Sequence, residues 1–582
     1  KRSSLIEELL VYDRLVKVVY AFTMRKKSYT LDHQNLGYTS DGSDDIFYSD
    51  LDEDPQTINT VQHGTLRMRD EIIDSLESPE AKKKRRRSLY ICYAVMFFIN
   101  LQFSIVISSM WPYLKNKLDP EANQSLLGWI VAAFSIGQAT SSPIYGVVFN
   151  KLGSIRILLV VSLFLSIIGN AWYCLLNLHS PSVVVYYMFA ARVIVGFSAG
   201  NVACIRSYVA GATTLKERTT AISTIAGFQA LGFALGPPLQ AACEPLGEDG
   251  VSLGQFTLNL YTLPAWIGAL LSAGSLFLLT PCLFQEFNVA KDEARMMTKD
   301  DLDINSLKVD KVAISVLLFA FFMNMSLFTL LESLFTPMVM DMYGWISEDA
   351  VVYVGIMFFC SSIITIIIYG TLGLITKRID ERKIIVTVGF FGIFLAVISF
   401  IPFGTGDNFP LQNGQEIITD IPYVCPGKKL IEKSDGKMYL QADPSVLFVA
   451  RSSASSLAEP PGCNVCEKPW CADSTIVPLY QLIIAMVLLS LSYPVCLSII
   501  QSIYSKVLGP KPQGSMMALL TFTGSIARIV GPIYVSFAYT NFGLVLTLTI
   551  LMGFTILVFS FSLITYDRLV PMNIVAQTQQ RY

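Results

Sequence analysis

The stretch KKKRRRSLYICYAVMFFINLQFSIVISSMWPY, residues 82–113, decides the architecture of this chain. Six consecutive basic residues, Lys82 to Arg87, precede a run from Leu89 to Tyr113 that contains no charged side chain. About 20 apolar residues suffice to cross the hydrocarbon core of a bilayer as a helix. A block of Lys and Arg beside such a run marks the cytosolic side. The chain therefore enters a membrane at Leu89, travelling away from the cytosol.

Working outward from this span, eleven further apolar segments follow, near 126–150, 155–178, 183–208, 218–243, 259–284, 311–340, 350–376, 383–404, 477–504, 514–540 and 543–567. Alternate loops repeat the basic signal: Lys151 and Arg156; Lys216 and Arg218; Lys377, Arg378, Arg382 and Lys383; Lys506 and Lys511. The opposite loops are poor in Lys and Arg, and two are acidic (Glu244, Glu248 and Asp249; Asp341, Glu348 and Asp349). Charge placement puts both termini in the cytosol. The fold expected is an all-α membrane protein with twelve transmembrane helices in two six-helix halves. Its parts are a cytosolic tail 1–88, a first bundle 89–284, a cytosolic linker 285–310, a second bundle 311–570 and a tail 571–582.

Composition agrees. Of 582 residues, 53% are hydrophobic and 15% charged, and the mean hydropathy is +0.51, values foreign to a soluble protein of this length. Three histidines, His33, His63 and His179, leave no His-rich metal or proton site. No Gly-rich phosphate loop, nucleophile elbow or His-based metal motif appears, which argues against an enzyme, a cofactor or nucleic-acid binding. No signal-peptide pattern opens the sequence, which begins at Lys1.

The region 405–476 lies on the non-cytosolic side and holds Cys425, Cys463, Cys466 and Cys471. Disulfides are the reading favoured for four cysteines in an oxidising compartment, with connectivity open. Metal binding or redox exchange at Cys463-x-x-Cys466 is the alternative. Asn123-Gln-Ser125 is a glycosylation sequon abutting span 2. Residues 25–80 are polar and acidic and read as disordered. They contain Tyr48-Ser-Asp-Leu51, a tyrosine-based pattern for sorting adaptors, which also occurs at Tyr12–Leu15 and Tyr566–Leu569.

The halves echo each other. Gly146-x-x-x-Asn150-Lys151-x-Gly153-x-x-Arg156 after span 2 matches Gly373-x-x-x-Lys377-Arg378-x-Asp380-x-x-Lys383 after span 8, at an offset of 227. Gly236-Pro237 in span 5 recurs as Gly531-Pro532 in span 11, at an offset of 295. The difference of 68 is close to the length of 405–476, so that segment reads as an insertion into the second repeat. Two repeated halves with substrate between them is a transporter arrangement.

These residues resemble the motifs of the major facilitator superfamily. The span 2–3 loop is similar to its G-x-x-x-D-R-x-G-R-R motif through Gly146, Lys151, Gly153 and Arg156, with Asn150 where the motif has Asp. Arg192-Val-Ile-Val-Gly196-Phe-Ser-Ala-Gly200 resembles the span 4 motif, and Gly232-x-x-x-Gly236-Pro237 the span 5 motif. Several stretches resemble one lysosomal branch of the superfamily, among them Gly200-Asn201-Val-Ala, Gln229-Ala-Leu-Gly and Ala527-Arg528-Ile-Val-Gly-Pro532. That resemblance implies a lysosomal or late-endosomal location, with chloride conduction among the activities proposed for the branch.

Charged residues inside spans are costly and are candidates for function. Arg192, Arg528 and Glu332 lie deep; Arg206 and Asp341 lie nearer span ends and read as reaching the interface. Two deep arginines against one glutamate imply an electropositive path for a small anionic solute or chloride. Arg192 is read either as part of that path or as a brace between helices. Glu332 is read either as a proton carrier or as a salt-bridging gate. Asn201 and Gln229 join the candidate path, and Gln102, Asn170 and Asn324 are polar positions that also suit hydrogen bonds between helices. Solute, membrane lipid and sorting adaptors are the expected partners.

Overall fold

A computed structural model describes residues 77–119, 124–247, 249–253, 256–297, 307–345, 347–402, 428–432, 438–442, 463, 468, 470–471 and 474–572. Tyr12, Tyr48, Leu51, Asn123, Cys425 and Cys466 lie outside the described residues, as do most of the two tails and of the 405–476 insertion.

The first half consists of α1 (Pro79–Tyr113), α2 (Gln124–Leu152), α3 (Ile155–Cys174), α4 (Pro181–Ser198, continuing as Asn201–Gly211), α5 (Leu215–Ala241) and α6 (Leu263–Leu278). A linker helix, Val289–Met297, leads to the second half. There follow α7 (Lys311–Tyr343), α8 (Ser347–Ile375), α9 (Glu381–Ser399) and α10 (Leu479–Leu508). A helical run over Gly514–Ile564 is broken at Gly543 into α11 and α12. Among the described residues, ten helices are long and apolar enough to cross a membrane. The 29-residue α2 and the 16-residue apolar α6 bring the bundle to twelve.

Sequence chemistry explains the joints. Thr214 caps α5 by accepting from Glu217 N, and Asp310 caps α7 by accepting from the N–H groups of Val312 and Ala313. Gly543 takes φ +83, a conformation that strongly favours glycine, which lets α12 turn back. Close helix pairs use the motif glycines. A Cβ at Gly196 would come within 2.7 Å of Phe134 Cα on α2, and one at Gly236 within 2.7 Å of Ile105 N on α1. Small residues at these crossings let backbones approach where lipid supplies no hydrophobic drive between helices.

Two features depart from the sequence expectation. The helix begins at Pro79, ten residues before Leu89, because Lys and Arg are good helix formers and their charged ends can stay in water. Within that basic block Arg85 is buried, 3% exposed, and bonds Glu217 Oε2 (2.9 Å) and the Ala212 carbonyl (3.1 Å). It fastens the loop between α4 and α5. The chain also contains strands, in two antiparallel hairpins in loops on the non-cytosolic side: β1 (Val251–Leu253) with β2 (Phe256–Leu258), and β3 (Lys428–Glu432) with β4 (Met438–Ala442). Their strands of three and five residues are too short to leave a periodic signal among twelve apolar runs.

Candidate functional site: a cavity between the halves

Six helices converge on one cavity. Asn100 and Phe103 of α1, Gln138 of α2, Arg206 of α4 and Gln229 of α5 face it from the first half; Met325 of α7 and Arg528 of α11 face it from the second. Its empty space is about 480 Å³, with the open mouth included. Arg206 Nη2 donates to Gln229 Oε1 (2.8 Å). Arg206 is 6% exposed, and the guanidinium of Arg528 stands within electrostatic reach of it. Two fixed cations therefore share one cavity, and they repel each other unless an anion lies between them.

Glu332 interacts electrostatically with Arg528, and Tyr493 interacts with both. Glu332 sits two turns beyond Met325 on the same face of α7, toward the non-cytosolic end of the cavity wall. Between them on α7, Phe328 stacks on Tyr493 (centroids 5.5 Å apart) and meets Phe233 of α5 edge-on (5.8 Å). Phe233 is the repeat counterpart of Arg528, so corresponding positions of the two halves carry an aromatic ring and a cation.

The expected path residues divide. Arg528 and Gln229 line the cavity; Arg192 and Asn201 do not. Arg192 is 2% exposed, with its guanidinium over the rings of Phe103 (5.9 Å) and Phe134 (5.5 Å), and these two rings stand between it and the cavity. Asn201 is buried and donates to Ser162 Oγ (2.7 Å), joining α4 to α3. Gln102 accepts from Ser166, Asn170 and Ser272, joining α1, α3 and α6. Arg206, read from the sequence as an interfacial residue, is instead buried and lines the cavity. A helical register signal was present, since Ala199, Val202 and Arg206 share one face and all three line the cavity.

The cytosolic end is sealed by hydrogen bonds between the halves. Asn150 Oδ1 accepts from Gly514 N (2.8 Å) and its Nδ2 donates to Ser515 Oγ (2.9 Å), so Asn150 of α2 caps α11. Across the bundle, Lys506 Nζ of α10 pairs with Glu381 Oε1 (2.5 Å) and donates to Thr219 Oγ1 of α5 (2.8 Å), while Thr219 also donates to Glu381. Ser525 Oγ donates to Gln138 Oε1 (3.0 Å) nearer mid-depth. Of the loop-motif residues, Gly153 takes φ +67 in the turn and Lys151 is exposed. Arg156 holds the Phe284 carbonyl within its own half. Gly200 and Gly232 pack as Gly196 and Gly236 do, Pro237 and Pro532 lie inside their helices, and Gly531 packs on Thr329.

On the non-cytosolic side the insertion is anchored. Cys463 is joined to Cys471, with Cα atoms 6.0 Å apart. Between them, Lys468 Nζ pairs with Asp341 Oδ2 at the end of α7 (2.5 Å), and Tyr539 Oη of α11 donates to the same oxygen (2.8 Å). Trp470 Nε1 donates to the Thr540 carbonyl (3.1 Å), and its ring fills the space a side chain at Gly543 would need. Asp341 thus faces a protein partner and not open water. In the first half, Lys117 bonds Asp249 (2.6 Å), which holds that carboxyl below its usual range. On the cytosolic side Tyr566 lies under Arg382 (4.9 Å to its ring) and Leu569 is buried, so the third tyrosine pattern is packed into the bundle.

Comparison with known proteins agrees with this architecture. The family model of the Major Facilitator Superfamily matches residues 92–414. Major facilitator superfamily domain-containing protein 8 of Xenopus laevis is 34% identical over 517 residues, which span 86% of this chain and 94% of that protein. The crystal structure of the human organic anion transporter MFSD10 (TETRAN) superposes with a TM-score of 0.53 at 18% identity, over 84% of this chain and 100% of that one. The proton:xylose symporter XylE superposes with a TM-score of 0.54 at 12% identity, over 85% and 99% of the two chains. With twelve helices in two halves, its motif glycines at the helix crossings and a relative this similar along nearly its whole length, the chain belongs to the major facilitator superfamily.

Proposed function

We propose that this protein moves a small anionic solute across an endolysosomal membrane by alternating access, with Glu332 coupling the movement to protons. The observation that carries the reading is the pair of guanidinium groups, Arg206 and Arg528, facing one cavity between the halves. Hydrogen bonds to a charged partner contribute about 1.5–3 kcal/mol each, and the guanidinium fork suits carboxylates, phosphates and halides. The cytosolic seal fixes one side of the cavity shut, so exchange with the cytosol requires the halves to rock apart there. Glu332 lies within electrostatic reach of Arg528; protonating it frees that cation for the solute, which links proton binding to anion binding. The lysosomal address rests on the resemblance of the membrane region and on the Tyr48–Leu51 adaptor pattern.

The test is electrical. The protein is redirected to the cell surface by altering the tyrosine pattern at Tyr48, and current is recorded under a chloride gradient and, separately, under a pH gradient. A current that follows the pH gradient, needs an added anion and disappears in Arg528→Ala supports the proton-coupled carrier. A reversal potential that tracks chloride alone, lost in Arg528→Ala, converts the reading to an anion channel. Full activity in Arg528→Ala removes the cavity arginine from the path and overturns the proposal.

A further inference from the structure

Gln138 of α2 is 4% exposed, lines the central cavity and has both ends of its amide engaged. Its Nε2 donates to the Ala199 carbonyl (3.2 Å), where α4 is interrupted, and its Oε1 accepts from Ser525 Oγ of α11 (3.0 Å). Each partner stands on a helix that carries a cavity guanidinium. Ser525 precedes Arg528 by about one turn, and Ala199 precedes Arg206 by about two, on the face that lines the cavity. One side chain therefore ties together the two helices that present the two cations.

α2 can act as the fixed point because it is locked to α4. A Cβ at Gly137, the neighbour of Gln138, would come within 2.7 Å of Phe197 N, so the two backbones touch beside the amide. The tie to α11 is of a different kind. Ser525 has one hydroxyl proton and two acceptors at 3.0 Å, Gln138 Oε1 and the Thr521 carbonyl of its own helix. The bond within α11 is available wherever α11 stands, whereas the bond to Gln138 exists only while α11 lies against α2. The Asn150 cap joins α2 to α11 at the cytosolic end, and Gln138 does so at the level of the cavity. Repulsion between the guanidinium groups of Arg206 and Arg528 pushes α4 and α11 apart; the amide, bonded to both, resists it.

We propose that Gln138 is a positioning residue, which sets the separation of the Arg206 and Arg528 guanidinium groups and so selects the charge and size of the anion between them. The inference rests on the anion reading of the cavity given above. With the tie in place, the cations stay closer than their repulsion alone would leave them, which favours a compact monovalent anion bridging both. With the tie removed they relax apart, which favours a longer anion with a charge at each end.

The test is thermal unfolding of the purified full chain in sodium chloride or disodium succinate, with ionic strength held constant by sodium gluconate. Arg528→Ala should remove the stabilisation by both anions. Gln138→Leu, similar in volume and unable to make either bond, should raise the half-saturating concentration of chloride relative to succinate by about tenfold, the loss of two hydrogen bonds of ordinary strength. Gln138→Asn keeps the amide one methylene short and should restore part of the parent ratio. Ser525→Ala, which leaves α2 and α4 untouched, should move the ratio in the same direction by about two- to fivefold, and it decides the matter if Gln138→Leu does not fold. A variant that melts lower in every salt yet keeps the parent ratio is the result expected of a simple brace between helices, and it overturns the inference, as does a shift toward chloride. A parent stabilised by neither anion overturns the anion reading of the cavity and this inference with it.

Discussion

Replacing Gly146 by alanine tests the cytosolic seal at its tightest point. An added Cβ would come within 2.7 Å of the Gly514 carbonyl oxygen on α11, and closer still to the Ala518 methyl. Ordinary contacts between such atoms need about 3.5–4.0 Å, so α2 and α11 must part by about 1 Å. That movement carries Asn150 away from Gly514 N and Ser515 Oγ, now at 2.8 and 2.9 Å, beyond useful hydrogen-bond range. Overpacking of this kind costs about 1–3 kcal/mol. Charged against the sealed state alone, it shifts the equilibrium toward a cytosol-open state by about 5- to 150-fold. Spin labels placed at Lys151 and Pro512, read by pulsed dipolar spectroscopy, would report the separation directly. Gly355→Ala is the control, because a Cβ there meets nothing within 4 Å. A distance distribution for Gly146→Ala that matches both the parent and Gly355→Ala would refute the claim that α2 and α11 close this side.

Other expectations follow from the same contacts. Arg206→Gln, like Arg528→Ala, should abolish flux with normal delivery to the membrane, and vesicle uptake normalised to surface protein checks it. Glu332→Gln should flatten the pH dependence of transport between about pH 5 and 7, and an unchanged profile would leave Glu332 a structural partner of Arg528. Lys468→Met should loosen the anchor of the insertion without touching the cavity, seen as faster deuterium exchange at the non-cytosolic end of α7 with solute affinity retained. The Lys117–Asp249 tie works with a lowered carboxyl, so its contribution is present above the ordinary carboxylate range and is lost only as pH falls through the still lower folded value. Melting curves of the parent and Asp249→Asn should therefore differ by the same amount at pH 5 and pH 7.

Much of the fold was legible because a bilayer allows few solutions. Runs such as Leu89–Tyr113 have one stable conformation in hydrocarbon, and charge placement orients them. Arg528 and Glu332 stood out for the same reason, as rare charges in apolar helices. The place of Arg206 is not legible from the span limits, because α4 is interrupted at Ala199–Gly200 and its second segment carries Arg206 to the cavity. Arg192 was equally conspicuous, yet what surrounds it is the face of two rings from α1 and α2, a contact between helices distant in sequence. The role of Asn150 was legible only as the lack of a charge; that a neutral amide caps the facing helix in the other half depends on how the halves meet.

The anchor of the insertion bears on how the chain survives damage. Cys463, Lys468, Trp470 and Cys471 all lie on the α10 side of the insertion, close to the helix they precede. A protease that cuts between Pro402 and Cys463 therefore severs the covalent link from α9 to α10 but leaves the stapled segment attached to α10 and bound to α7 and α11. Tyr343 Oη, which donates to the Val477 carbonyl (2.7 Å), holds the same junction from the α7 side. The second half is thereby built to tolerate a nick in its longest loop, with two fragments remaining one transport body.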